Sequence, residues 1–305
     1  MPILSYNFKI VKNVGMDMNK IKLGFIGFGE AAYHISKGLM GSAAQLVAYD
    51  IKADDPEVGE LIRKRAQSTQ VQLVPSLEQL IERSEIILSL TSAKYALNLA
   101  KECAPFLKND HYYVDLNAAS PIVMREIEAI LGAKALFVDG AIMEAVPPHL
   151  HKVPILLSGP NSDELKDKLN ALGMNMTVIS EKPGDASAIK MFRSIFMKGF
   201  TMLLIETLTA SHKFGVDEMI IESLEQTLKK PLGEMANLLI TRTAIHAERR
   251  LSEMEQVMDT LKEMKLDYTM SEATRHKLQT LVDLELSRHF NFEAPEHYAE
   301  VLNQL

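Results

Sequence analysis

The stretch KLGFIGFGEAA, Lys22 to Ala32, runs a short apolar segment straight into Gly27-x-Gly29-x-x-Ala32. A buried strand that turns sharply into a helix reads this way, and the N-terminus of such a helix can hold a pyrophosphate. Gly27 permits the tight turn, Gly29 lets the backbone approach the phosphates, and Ala32 is small enough for the helix to pack closely on the strand. A second apolar run, LVAYD, ends in Asp50. That is about twenty residues downstream, where a dinucleotide site needs an acid for the adenosine ribose hydroxyls. The cofactor-binding residues expected from this segment are Gly27, Phe28, Gly29, Glu30, Ala31 and Asp50. Asp50 would repel a 2′-phosphate and is followed by Ile51 rather than Arg, so NAD is expected ahead of NADP, with Lys52 the minor route to the latter.

Outward from this turn, β-prone runs alternate with segments of helical period from Ile21 to about Ser180: IKLGFIG, QLVAYD, VQLV, EIILSLT, HYYVDLN, ALFVDGAIM, VPILLSG and MTVIS. Most are apolar throughout, as strands covered on both faces are. The expected fold class is α/β, a Rossmann-type, mostly parallel sheet followed by an all-helical C-terminal domain. Ligands of open α/β sheets bind at the carboxyl ends of the strands, which adds Leu90, Thr91 and Ser92, at the end of the fourth run, to the cofactor contacts, and Asn117 is counted among them. Ser76 and Gln79 read as a capping box, and Pro121 opens a helix after Ser120. After Pro183 the β-prone runs stop. The domains expected are an extension at 1–20, a dinucleotide-binding domain at 21–182 and a helical substrate and dimerisation domain at 183–305. Asp185 to Lys213 reads as one helix, apolar on most sides, which needs another surface to cover it and points to a homodimer.

Composition narrows the function classes. A net charge of −7 and the lack of a Lys/Arg-rich block argue against nucleic-acid or anionic-membrane partners and leave small molecules as ligands. The first twenty residues show no signal-peptide pattern, Met16 or Met18 is an alternative start, and no run is long and apolar enough to span a membrane. One cysteine, Cys103, fits a reducing cytoplasm and reads as inert. Neither a Gly-x-Ser-x-Gly elbow nor a Walker loop is present. His149 and His151 lack the partners a metal site needs, so no metal is expected and the pair is placed at the rim of the active-site cleft.

Lys190, Ser194 and Lys198 share one face of the apolar helix at a spacing of four. A lysine there must snorkel to water, pair with a carboxylate, or face a cleft where a lowered pKa serves proton transfer. Oxidising an alcohol requires a base near the O–H and donors for the developing alkoxide, roles open to Lys190 and to the Asn117 amide. A carboxylate substrate also needs a cation. Arg193, Lys198 and the cluster His246, Arg249, Arg250 are candidates, against the alternative that Arg249 and Arg250 sit on a salt-bridged face with Glu248, Glu253 and Glu255.

Four segments carry a resemblance to a known family: GFIGFGEAA at 24–32, DLNAASP at 115–121, FVDGAIMEA at 137–145 and GDASAIKMFRS at 184–194. In order and spacing they resemble the cofactor loop, substrate loop, third motif and catalytic-lysine helix of the β-hydroxyacid dehydrogenases, which include 3-hydroxyisobutyrate and 6-phosphogluconate dehydrogenases. KMFRSIFMKG and HAERRLSEMEQV are more similar to a little-characterised, phosphogluconate-dehydrogenase-like branch. The resemblance implies an NAD(P)-dependent dehydrogenase of a small hydroxy acid with Lys190 as its proton-transfer residue; taken with the reading of the residues above, Lys190, Asn117 and Ser194 are expected to be catalytic and Ser120, Met143, Glu144, Arg193, Lys198, His246 and Arg250 to lie at an anionic substrate. Asn117 stands where the family usually has serine, Ser194 where it has asparagine, and Met143–Glu144–Ala145 replaces Ser-Gly-Gly. Two alternatives stay open on this scaffold: an imine-reducing or decarboxylating oxidoreductase, and a non-catalytic dinucleotide-binding sensor.

Overall fold

Strand β1 (Ile21–Ile26) sends Leu23 and Phe25 to one face of a sheet and Ile26 to the other, the period-2 alternation of a strand buried on both sides. The computed structural model describes residues 20–305, so the expected extension at 1–20, with Met16 and Met18, lies outside the described residues except for Lys20. Seven further strands follow: β2 (Ala44–Tyr49), β3 (Gln72–Leu73), β4 (Ile86–Ser89), β5 (Tyr112–Asp115), β6 (Leu136–Ile142), β7 (Pro154–Ser158) and β8 (Asn175–Ser180). They form one sheet in the order β3-β2-β1-β4-β5-β6-β7-β8. All neighbours are parallel except β6 and β7. Each of the eight β-prone runs of the sequence therefore contains a strand, and the fold is the expected α/β class with a mostly parallel Rossmann-type sheet.

One apolar layer joins Leu23, Phe25, Leu88 and Val114 to Ile35 and Leu39 of the helix Glu30–Leu39. The other joins Ile26, Ile87, Tyr113 and Phe137 to Met124, Ile127 and Leu131 of the helix Pro121–Leu131. Cys103 is buried in this second layer, and burial pushes its thiol up to about 12, so it is unreactive at neutral pH. Ser76 accepts from the Gln79 amide and caps the helix Leu77–Glu82, which is the serine half of the expected capping box; the Gln79 side chain does not return the bond.

The described residues up to Arg193 form one compact unit and Ser194–Leu305 a second. The division falls inside the helix Asp185–Phe214, beyond the 182/183 limit where the strand pattern ends, because the first turns of that helix are fastened to the sheet. In the second unit, Ala244, Leu286 and Val301 make a small core with Ile240, Leu281 and Phe290. The buried Glu206 carboxylate accepts from the Met270 and Ser271 amides and the Ser271 hydroxyl, so it caps the helix Thr269–Asp283 from a distance. No helix among the described residues is long and apolar enough to cross a membrane.

Candidate active site

The strand order reverses at β1, flanked by β2 and β4, and the glycine-rich turn lies at this switch point. Gly27 has φ +86°, and a Cβ there would meet the Leu90 carbonyl oxygen at 2.6 Å. Only glycine suits that position. The Gly27 amide donates to the Tyr49 carbonyl at 2.8 Å, and the Phe28 amide donates to Asp50 Oδ2 at 2.7 Å. Asp50 Oδ1 accepts from the Lys52 amide at 2.8 Å, closing a turn. Asp50 thus shapes the glycine loop, and its oxygens retain lone pairs for ribose hydroxyls.

Gly29 opens the helix Glu30–Leu39, and a Cβ there would meet nothing within 4 Å. The amides of Gly29, Glu30 and Ala31 have no hydrogen-bond partner among the described residues. Ser92 Oγ is buried without a partner beyond the end of β4. An open backbone cradle, an anion-favouring helix end, an acid at the end of β2 and an orphaned hydroxyl together fit a dinucleotide. Phe28 departs from expectation. Its ring is fully buried, edge-on to Phe25, and its amide is spent on Asp50, so it belongs to the core of the turn and does not offer a cofactor contact. Leu90 is half-buried and Thr91 exposed.

Asn117 requires the larger correction. Its Nδ2 donates to Ser89 Oγ at 2.7 Å and to Asp115 Oδ2 at 2.9 Å, while its Oδ1 accepts from the Thr91 amide and hydroxyl. The Thr91 amide can only donate, which fixes the orientation of the Asn117 amide. Both of its hydrogens are therefore committed, and Asn117 latches the ends of β4 and β5 together in place of donating to an alkoxide. Asp115 accepts from both the Asn117 backbone amide and Nδ2. Burial, opposed by those bonds and reinforced by Asp139, pushes Asp115 up to about 6. Ser120 Oγ accepts from the Val123 amide as a helix cap, with its hydrogen left to donate.

Lys190 is half-buried in the second turn of the helix Asp185–Phe214. Its ammonium has no hydrogen-bond or ion-pair partner among the described residues, and desolvation lowers its pKa. The start of this helix is organised by Asp139, whose Oδ2 accepts from the Ser158 hydroxyl and the amides of Gly184 and Ser187, and whose Oδ1 accepts from the Ser187 hydroxyl. Arg193 donates to the Met143 carbonyl at 3.1 Å, which ties the segment after β6 to the lysine helix.

Glu144 pairs with His149 at 2.8 Å on the exposed side of the same segment. His151 leaves the position foreseen for it. It is wedged beside Gly38 and Gly173, where either added Cβ would press on its ring, and is not part of a rim with His149. No group of three or more His, Cys, Asp or Glu among the described residues could hold a metal ion.

In the second unit, Ser194 is half-buried and Lys198 exposed. His246 is exposed at the junction before the helix Ala247–Glu263. Arg249 pairs with Glu253, the salt-bridged alternative, whereas Arg250 keeps a buried Nε without a partner.

Residues 211–281 match a domain of unknown function, DUF1932. A conserved hypothetical protein from Sinorhizobium meliloti 1021 is 35% identical over 88% of this chain and 90% of its own, with a TM-score of 0.60. Conserved protein MTH1747, of unknown function and reported as structurally similar to 3-hydroxyacid dehydrogenases, is 33% identical over 88% of this chain and 99% of its own, with a TM-score of 0.58. The chain belongs to the β-hydroxyacid dehydrogenase family. More distant members of this fold include the imine reductase from Myxococcus stipitatus, solved with NADP+ and, as variant V8, with NAD+. The two forms are 20% and 19% identical, over 86% and 87% of this chain and 94% of their own, each with a TM-score of 0.68.

Within this dehydrogenase scaffold, the residues that sequence reasoning missed are Asp115, Asp139, Ser158, Gly184 and Ser187. For the two aspartates the signal was legible: YYVD ends β5 on a charge and LFVDGAI carries one in the middle of β6, each in an otherwise apolar strand, and Asp115 and Asp139 fall side by side in the β5–β6 register.

Proposed function

We propose that the chain is a nicotinamide-dinucleotide-dependent oxidoreductase acting on a small hydroxy acid or its oxo form, with Lys190 as the general acid/base. One observation carries this: Lys190 presents a half-buried, unpaired ammonium whose pKa burial lowers, on a scaffold whose switch-point turn fits a dinucleotide. The Gly27–Ala31 backbone would hold the pyrophosphate and Asp50 the ribose diol, which favours NAD over NADP. The bound nicotinamide supplies the two-electron exchange at the carbinol carbon. Lys190, as neutral amine, takes the hydroxyl proton on Nζ in oxidation and returns it from the ammonium in reduction. A lowered pKa raises the fraction of neutral amine near pH 7 and makes the ammonium the stronger acid.

Ser120 Oγ–H is a remaining donor for the developing alkoxide, since the Asn117 amide is consumed. Arg193, Lys198, His246 and Arg250 are the cations proposed for a substrate carboxylate, Met143 and Glu144 are proposed substrate contacts, and Ser194 a proposed catalytic hydroxyl. The helix Asp185–Phe214 exposes 63% of Phe192, 70% of Ile195 and 51% of Phe196. Such an apolar face supports a homodimer.

The test is a panel of 2-oxo and 3-oxo acids with NADH and NADPH, with cyclic imines as a separate arm. Reduction of an oxo acid that Lys190→Ala abolishes supports the reading. Turnover only of imines, or of nothing by a protein that binds NADH, overturns it.

A further inference from the structure

Asp139 is a fully buried carboxylate with no cationic partner among the described residues. A lone buried charge is costly unless donors surround it. Here they do: the Ser158 hydroxyl at 2.8 Å, the Gly184 and Ser187 amides at 3.0 Å each, and the Ser187 hydroxyl. The Ala186 amide donates to Ser158 Oγ at 3.0 Å. Donors that a helix leaves orphaned at its start are thus met by side chains of β6 and β7. At Gly184, φ is +100° and a Cβ would sit 2.9 Å from the Pro121 carbonyl, so the chain entering this helix also lies against the start of the helix Pro121–Leu131.

These contacts constrain more than a cap does. A single acceptor would leave the helix free to rotate about it. Two oxygens of one carboxylate, engaged by the amide and the hydroxyl of the same Ser187, fix rotation as well as axial position. Lys190 lies three residues on, one turn further along the same face. Because its ammonium has no hydrogen-bond or ion-pair partner among the described residues, the placement of the helix sets the burial in which the Lys190 stem holds Nζ. Resting on the Lys190 reading above, we infer that Asp139, through Ser187 and Ser158, is the positioning residue that indexes the lysine helix to the sheet.

The test reads Lys190 directly and needs no substrate. Full-length wild type, Asp139→Ala, Asp139→Asn and Ser187→Ala are acetylated with trace acetic anhydride across pH. Labelling at Lys190 is quantified by mass spectrometry, with exposed Lys37 as internal reference. Wild-type Lys190 is expected to titrate below 10.5, the ordinary lysine value. In Asp139→Ala the midpoint rises towards that value, and in Ser187→Ala it rises by less. Asp139→Asn keeps an acceptor for the amides and can donate Nδ2–H to Ser187 Oγ, so its profile stays with wild type.

An unchanged Lys190 profile in folded Asp139→Ala overturns the inference, as does Asp139→Asn behaving like Asp139→Ala. If Asp139→Ala does not fold, Ser187→Ala decides by the same criterion. Loss of the dehydrogenase reading would instead appear as unaltered turnover in Lys190→Ala, whatever the labelling shows.

Discussion

Asp115→Asn should change stability in opposite senses at low and high pH. Asp115 is wholly buried, and its pKa stands at about 6 against an ordinary 3.8. A shift of about two units corresponds to about 3 kcal/mol. The sign follows from proton binding. Between those two pKa values the folded state holds a proton that the unfolded state has released, so stability falls as pH rises from about 4 to about 6 and stays reduced above. An asparagine does not titrate. It keeps the acceptor for the Asn117 backbone amide but turns a donor towards Asn117 Nδ2, which loses one hydrogen bond, a cost of about 1 kcal/mol at every pH.

The pH-independent cost cancels when the two proteins are compared across pH. The stability difference should therefore swing by about 3 kcal/mol towards the variant between pH 4 and pH 7. The variant is the less stable protein in acid and the more stable by about 2 kcal/mol at neutral pH. Urea unfolding of both proteins across this range, with equal slopes, measures the swing. A difference that is constant with pH would refute the argument, because it would mean that Asp115 is not held protonated by burial.

Three further outcomes follow from the same geometry. Gly27→Ala places a Cβ 2.6 Å from the Leu90 carbonyl oxygen in a left-handed backbone; a strained φ alone costs about 1–3 kcal/mol, so the NADH dissociation constant from fluorescence titration should rise at least about tenfold. Asp50→Ala removes the acceptor for the Phe28 amide and the acid proposed to face the ribose. It should weaken NAD binding by about tenfold or more, since hydrogen bonds to charged groups are worth about 1.5–3 kcal/mol, while NADP binding falls less; equal losses for both would argue against Asp50 as the discriminating group. Ile195→Asp puts a charge on the exposed apolar helix face and should convert the proposed dimer to a monomer in light scattering with secondary structure intact.

Much of the fold was legible because parallel strands covered on both sides are apolar runs, and each of the eight appears where the sequence puts it. The glycine turn was legible for a different reason: a left-handed residue under the Leu90 carbonyl admits little else. The site chemistry was less so. Asn117 occupies a loop position that suits substrate binding, yet spacing does not reveal that Ser89, Thr91 and Asp115 converge on its amide. Phe28 lies inside the cofactor motif and faces the core, since a motif fixes backbone path more firmly than side-chain direction. His149 and His151 look alike in sequence, but a short helical turn and the room left by Gly38 and Gly173 separate them. Asp115 and Asp139 could have been flagged as lone charges in apolar strands; the donors of Asp115 come from Asn117, two residues on, whereas those of Asp139 come from segments 19 to 48 residues away in the chain.

Transfer of deuterium from [4,4-2H2]NADH to an oxo acid, followed by mass spectrometry of the hydroxy acid product, puts the assignment of Lys190 to its sharpest test. The wild-type protein should deliver one deuterium to the carbinol carbon. Lys190→Ala should bind NADH with an unchanged dissociation constant and deliver none within the same time. Equal deuterium incorporation by the two proteins would contradict a proton-transfer role for Lys190.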